Sequence, residues 1–208
     1  MFKDRIDAGK QLANKLHPYR DKGNVVILAI PRGGLPLGAI VARSLNAKLD
    51  VALSKKIGHP FNKEFAIGAL SLHNIVLDDN IEISIEYIEK EKKRLREKLK
   101  KNQTKYFKNK SPIPLKDKMV IIVDDGIATG NTIRVTAQLA YDQKPKKIVV
   151  AIPVAPKLTV QKLQAAPYID EVVCLETPFN FQAVGQFYMD FDQVSDEEAI
   201  TIMNEFIA

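Results

Sequence analysis

"VIIVDDGIATGNT", residues 120–132, decides how this chain is read. Val120, Ile121, Ile122 and Val123 make an unbroken apolar run, which suits a strand covered on both faces. The run stops at two adjacent carboxylates, Asp124 and Asp125. Gly126 and Gly130 then permit close backbone approach, Thr129 and Thr132 bring hydroxyls, and Asn131 brings an amide. A helix is expected to open in this loop and run to Tyr141, so free N–H groups and the positive end of the helix dipole face the loop's guest. That is an anion cradle, and phosphate is the usual anion. Carboxylates repel phosphate, so the acid pair must address another part of the same ligand. Two acids suit the vicinal hydroxyls of a ribose, directly or through Mg²⁺, and a sugar 5′-phosphate satisfies both halves.

An acid at a strand end can also do less. It can simply cap the next helix, with a solvated neighbour. An acid pair also marks phosphoacceptor domains, but there it comes early in the chain, and here it lies past the middle. A P-loop is excluded, because no glycine is followed by Lys and Ser/Thr, and "RGGLPLG" lacks the G-x-G-x-x-G spacing of a dinucleotide fingerprint.

Outward from this stretch, strands and helices alternate. "NVVILAI" (24–30) reads as a buried strand ending in Pro31, and "LPLGAIVARSL" (35–45) as a helix. "LDVALS", "EFAIGAL" and "NIVLD" read as three further strands, with Lys55 and Lys56 at the end of the first, neighbouring the strand 24–30 in the parallel sheet. Residues 119–123, 147–154 and 171–175 read as strands, with helices expected at 6–16, 129–141 and 156–165. Ser195 and Glu198 have capping-box spacing ahead of a last helix carrying Ile200, Met203 and Phe206. The pattern predicts an α/β fold, a mostly parallel sheet with helices on both faces, whose ligands bind beyond the carboxyl ends of the strands.

The segment 84–110 stands apart as a charged helical insertion. Ile85, Ile88, Leu95 and Leu99 form a narrow stripe over 84–103, and Glu86–Lys90, Glu89–Lys93 and Glu97–Lys101 have i,i+4 spacing. The stripe packs on the sheet or on a second copy, which allows a homodimer. Of the 31 Lys and Arg, 13 fall between Lys90 and Lys118 against 3 of the 25 Asp and Glu, so the +6 net charge belongs to this segment and the remainder is acidic. Without aromatic interleaving or a nucleic-acid motif, a solvated face explains the run better than a nucleic-acid partner. No window is apolar enough to cross a membrane, the first seventeen residues lack the core of a secretory leader, and the lone Cys174 reads as a buried thiol in a reducing cytoplasm. At 208 residues the chain suits one domain.

The stretch 120–132 resembles the phosphoribosyl-pyrophosphate (PRPP) motif of type I phosphoribosyltransferases: apolar strand, acid pair, small residues, Thr-Gly and a final Thr. "AIPRGGLPLGAIVARSL" resembles the same family's pyrophosphate loop, and "LSKKIGHPFNKEFAIGAL" the region after its third strand, where basic residues and a closing loop lie. "ETPFNFQAVGQFYMDF", within 176–194, loosely resembles the hood that covers the acceptor; its spacing departs after Gly185, so Asp190 is not carried over. As a whole the chain looks most like a group of bacterial phosphoribosyltransferase-like proteins, and the charged insertion is its least typical part.

The resemblance implies a transferase of nucleotide metabolism that moves phosphoribosyl from PRPP to an acceptor with Mg²⁺. Gly126, Ile127, Ala128, Thr129, Gly130, Asn131 and Thr132 would hold the 5′-phosphate. Asp124 and Asp125 would hold the ribose and Mg²⁺. Arg32, Gly33, Gly34, Lys55 and Lys56 would hold the pyrophosphate, with Lys56 counted among the catalytic groups. Phe179, Phe181 and Val184 would cover the acceptor, most simply a nucleobase. His59, Lys63 and Glu64 would lie on the closing loop, or on a plain exposed turn. The competing reading is a non-catalytic PRPP- or nucleotide-sensing module.

Overall fold

The computed structural model describes residues 1–62, 66–72, 74–77, 83–107 and 111–207. Five strands, β1 (Val25–Ala29), β2 (Lys48–Val51), β6 (Met119–Val123), β7 (Lys147–Val154) and β8 (Glu171–Glu176), form one sheet in the order β2-β1-β6-β7-β8. Every pairing in it is parallel. Three shorter strands, β3 (Lys55–Gly58), β4 (Ala66–Leu70) and β5 (Ile75–Leu77), make a separate antiparallel sheet.

The continuous apolar runs follow from burial on both faces. Val25, Ile27, Ala29, Ile121, Val123, Val149 and Ala151 pack with α1 (Arg5–Lys15), α2 (Gly34–Leu45) and α6 (Asp196–Ile207). The alternate residues Val26, Leu28, Val120, Ile122, Ile148, Val150 and Ile152 pack with α4 (Asn131–Tyr141) and α5 (Lys157–Gln164). One half of the expected capping box is visible, Ser195 Oγ accepting from the Glu198 N–H at 3.0 Å.

The helix α3 (Ile85–Phe107) runs four residues further than its sequence pattern suggests. Leu95 and Leu99 are buried against Ile57, Ile67 and Leu70 of the small sheet, so that part of the stripe is covered within this chain. Ile85 does not join it and is 79% exposed. Its place is taken by Tyr87, whose hydroxyl donates to the Gly58 carbonyl at 2.6 Å. Among the described residues, α3 carries the ion pairs Glu89–Lys92 and Glu91–Arg94, each spaced three apart. No helix among the described residues is long and apolar enough to cross a membrane.

Candidate functional site

The site lies where β1 and β6 end. These strands are paired through Ala29↔Val123, so the loops that leave them, residues 30–34 and 124–130, emerge side by side. Their contact is close. A Cβ built on Gly33 would lie 2.0 Å from Asp125 Oδ2, and one on Gly34 would lie 2.5 Å from the Val123 carbonyl. Only glycine lets the first loop approach the acid pair this way. The Pro31–Arg32 peptide within it is cis.

The two acids are held differently. Asp124 Oδ1 accepts from the Asp125 N–H at 2.9 Å. Asp125 Oδ2 accepts from Arg5 Nε at 2.9 Å, and both side chains are 13% exposed. The Asp125 carbonyl accepts from the Tyr188 hydroxyl at 2.6 Å. Burial raises the Asp124 carboxyl well above the usual range, and the charge on Asp125 adds to the rise. Burial also raises Asp125, but the Arg5 guanidinium opposes the shift, so Asp125 is the readier carboxylate of the two.

The loop that follows has two tethers. The Ile127 N–H donates to the Val154 carbonyl at 3.0 Å, and Thr159 Oγ1 donates to the Ala128 carbonyl at 2.7 Å. Ile127 is therefore a buried anchor, with its amide turned to β7 and not to a ligand. Gly126 and Gly130 have φ of 147° and 74°, which L residues rarely adopt. Gly130 precedes α4, and no side chain caps that helix. The first-turn N–H groups of α4 thus face an exposed Ala128–Thr129 rim.

Arg32 extends from the first loop and pairs loosely with Asp196 at 3.8 Å, both about one-third exposed. Lys55 and Lys56 are exposed, but they do not end a strand of the parallel sheet. β2 stops at Val51, opposite the end of β1, and the lysines open β3 of the antiparallel sheet. Ser54 Oγ lies 3.2 Å from Thr136 Oγ1 in α4, which keeps the lysines beside the helix that the phosphate-type loop opens. The His59 ring lies tilted against Phe61, 5.7 Å between centroids, and Lys63 and Glu64 lie outside the described residues.

Val184 closes on the acid loop: a Cβ on Gly126 would meet its Cγ1 at 2.6 Å and Val154 Cγ1 at 3.0 Å. Phe181 stacks on Phe187 at 5.3 Å, whereas Phe179 is fully exposed. Among the described residues no three His, Cys, Asp or Glu side chains gather to hold a metal. Cys174 is half-buried, its thiol pushed up to about 11 by burial.

Sequence reading misses Arg5 and Tyr188. Arg5 is 120 positions from its partner Asp125, and no local pattern spans that distance. One signal is present: a cation in the first turn of a helix opposes the dipole, and such exceptions collect at functional sites.

A phosphoribosyl transferase domain model matches residues 2–192. Two curated relatives from Mycobacterium tuberculosis (strains CDC 1551 / Oshkosh and H37Rv), provisionally named phosphoribosyl transferases MT0597 and Rv0571c, are each 40% identical over 98% of this chain and 46% of theirs. The chain thus spans about half the length of the curated relatives it matches. The crystal structure of TT1426 from Thermus thermophilus superposes with a TM-score of 0.91 at 37% identity, covering 100% of this chain and 99% of that one. With the acid pair, the two glycine loops and the five-stranded parallel sheet in place, the chain belongs to the type I phosphoribosyltransferase family.

Proposed function

We propose that the protein transfers the phosphoribosyl group of PRPP to a nucleobase-like acceptor and releases pyrophosphate. The observation that carries this is the position of Asp125. Its carboxylate lies against Gly33 of one loop, while its own loop is closed by Val184 and Tyr188 of the segment 176–194. Three elements suited to pyrophosphate, ribose and acceptor therefore meet at one residue.

In this reading the uncapped start of α4, with Ala128, Thr129, Gly130, Asn131 and Thr132, binds the 5′-phosphate. Gly126 and Ile127 shape the loop. Asp124 and Asp125 take the ribose hydroxyls. Arg32, with the Gly33 and Gly34 N–H groups, receives the pyrophosphate, and Lys55 and Lys56 approach it from the small sheet. As the bond from C1′ to pyrophosphate oxygen breaks, positive charge grows on the ribose and negative charge on the leaving group. Carboxylates on one side and cations on the other stabilise that separation. Residues 176–194 act as the hood, with Val184 and Phe181 at its base and Phe179 free to close over a flat acceptor.

Two carboxylates, one of them engaged by Arg5, do not make a protein-only Mg²⁺ cage. They fit an ion carried mainly by PRPP oxygens and water, which Asp124 and Asp125 would address at its edge. When bound, the ion would neutralise pyrophosphate charge. We place the reaction in the cytoplasm, where the unbridged Cys174 stays reduced.

The test is a panel of purine and pyrimidine bases with PRPP and Mg²⁺, followed by pyrophosphate release. Release with one base class supports transfer and names the acceptor. Tight PRPP binding without release for any acceptor favours the sensing module, and no PRPP binding at all refutes both.

A further inference from the structure

Arg5 occupies the first position of α1, where the helix dipole disfavours a cation. Its guanidinium lies 3.9 Å from the centroid of the Phe191 ring. Nε donates to Asp125 Oδ2 at 2.9 Å, and Nη1 donates to the Asp192 carbonyl at 2.5 Å. One side chain thus joins the N-terminal helix, the acid pair and the end of the hood segment.

The plainest role for Arg5 is an anchor for α1, but the helix has anchors already. Ala8, Leu12 and Ala13 are buried in the main core. Ahead of the helix, residues 2 and 3 bond to the hood segment: Phe2 N–H to the Phe187 carbonyl at 2.8 Å, Met189 N–H to Phe2 at 2.9 Å and Asp190 N–H to Lys3 at 2.9 Å. A largely desolvated ion pair adds little to such packing, since desolvation offsets most of its Coulomb gain. What a buried guanidinium does well is fix a carboxylate's rotamer, because its donors are planar and rigid.

We propose that Arg5 is a positioning residue for the ribose end of the site. It holds the Asp125 carboxylate in place and, through Phe191 and Asp192, couples that carboxylate to the hood. This rests on the assignment of Asp125 to ribose. Arg5 acts through Asp125 and has no part in holding pyrophosphate, which belongs to the other loop.

The experiment compares the whole chain with Arg5→Met, Arg5→Lys and Phe191→Leu, titrated calorimetrically with PRPP, ribose 5-phosphate and pyrophosphate in Mg²⁺, with melting curves alongside. Arg5→Met weakens PRPP and ribose 5-phosphate on the order of 10²-fold, as expected for a misplaced positioned group, and leaves pyrophosphate within about twofold. Arg5→Lys recovers part of the loss, since an ammonium keeps the charge but cannot serve Asp125 and Asp192 together. Phe191→Leu moves affinity the same way by less. If Arg5→Met does not fold, the other two variants decide alone. Equal weakening of pyrophosphate and ribose 5-phosphate, or no weakening of either, overturns the proposal. Failure of the unaltered protein to bind PRPP overturns the ribose assignment itself, and the proposal with it, and is seen before any variant is made.

Discussion

Adding one methyl group at Gly33 should disable the site without unfolding the protein. An alanine Cβ there would sit 2.0 Å from Asp125 Oδ2 and 2.5 Å from its Cγ. Ordinary contact begins at 3.4 Å, so the carboxylate must retreat by about 1.4 Å. It cannot do so and keep its 2.9 Å bond to Arg5. Misplacement of a binding group by ~1 Å costs on the order of 10²-fold, or about 2.7 kcal/mol, in a positioned site. The backbone needs no change, because Gly33 has φ −58° and ψ −35°, open to any residue. The neighbour behaves oppositely. A Cβ on Gly34 would meet the Val123 carbonyl at 2.5 Å and Asp124 Cα at 3.0 Å, and backbone of a central strand cannot swing away. Gly34→Ala should therefore cost stability near the top of the ~1–3 kcal/mol overpacking range, and Gly33→Ala nearer its foot. PRPP titration and thermal melts separate the two. Gly33→Ala and Asp125→Asn should also be non-additive, since both act on one carboxylate. Gly33→Ala binding PRPP as tightly as the unaltered protein, or full additivity with Asp125→Asn, refutes the reasoning.

Asp125→Asn and Asp124→Asn should each lower PRPP affinity or turnover on the order of 10²-fold, yet differ in stability. Asp125→Asn weakens the pairing of Arg5 and lowers the melting temperature; Asp124→Asn removes a charge that burial and its neighbour disfavour, and at neutral pH it leaves the melting temperature equal or higher. Asp50, 2% exposed, accepts from the Val51 and Ile113 N–H groups at 2.8 and 2.6 Å, and burial raises its carboxyl from 3.8 to about 6. The folded state holds that proton more tightly, so this group's contribution is greatest below pH ~4 and falls as pH rises to about 6, by up to ~3 kcal/mol; urea unfolding of Asp50→Asn over that range should lack the fall. Thr159→Val removes the 2.7 Å bond to the Ala128 carbonyl, and should cost about 1 kcal/mol by urea unfolding and weaken inorganic phosphate binding severalfold.

Legibility follows burial. The bounds of β6 coincide with its apolar run, Met119–Val123, because a strand covered on both faces has no polar residue to blur its ends. β2 reads on through Ser54 in the sequence but ends at Val51, because its neighbour β1 ends opposite, at Ala29. Periodicity marks a strand; it does not say which sheet receives the next one, so the sequence pattern puts Lys55 and Lys56 on the wrong sheet. Ile85 fits the helical stripe of α3 and is exposed nonetheless, since spacing along a helix does not tell which of its apolar residues a neighbour covers. The loop 126–132 is legible because its glycines and hydroxyls form a local pattern that needs no distant partner to be read. Arg5 is not, because the ion pair it makes joins elements that only the tertiary fold brings together.

The parity of β6 explains why two acids stand side by side. Successive residues of a strand face opposite sides. Ile121 and Val123 point into the core shared with α1, and Val120 and Ile122 into the core shared with α4. Continued past the strand's end, the alternation turns Asp125 toward α1, where Arg5 meets it, and puts Asp124 on the opposite parity. A single acid would lie on one side of the strand end only. A pair flanks it, and each member acquires its own surroundings: Asp125 the Arg5 guanidinium and the Tyr188 hydroxyl on its carbonyl, Asp124 a half-buried position and its neighbour's N–H. In the proposed reading, two hydroxyls of one ribose would then meet two carboxyl groups that differ in readiness to ionise, the readier one held from behind by Arg5. That inequality comes from the alternation of a five-residue strand and the placement of one helix, and needs no third acidic residue in the site.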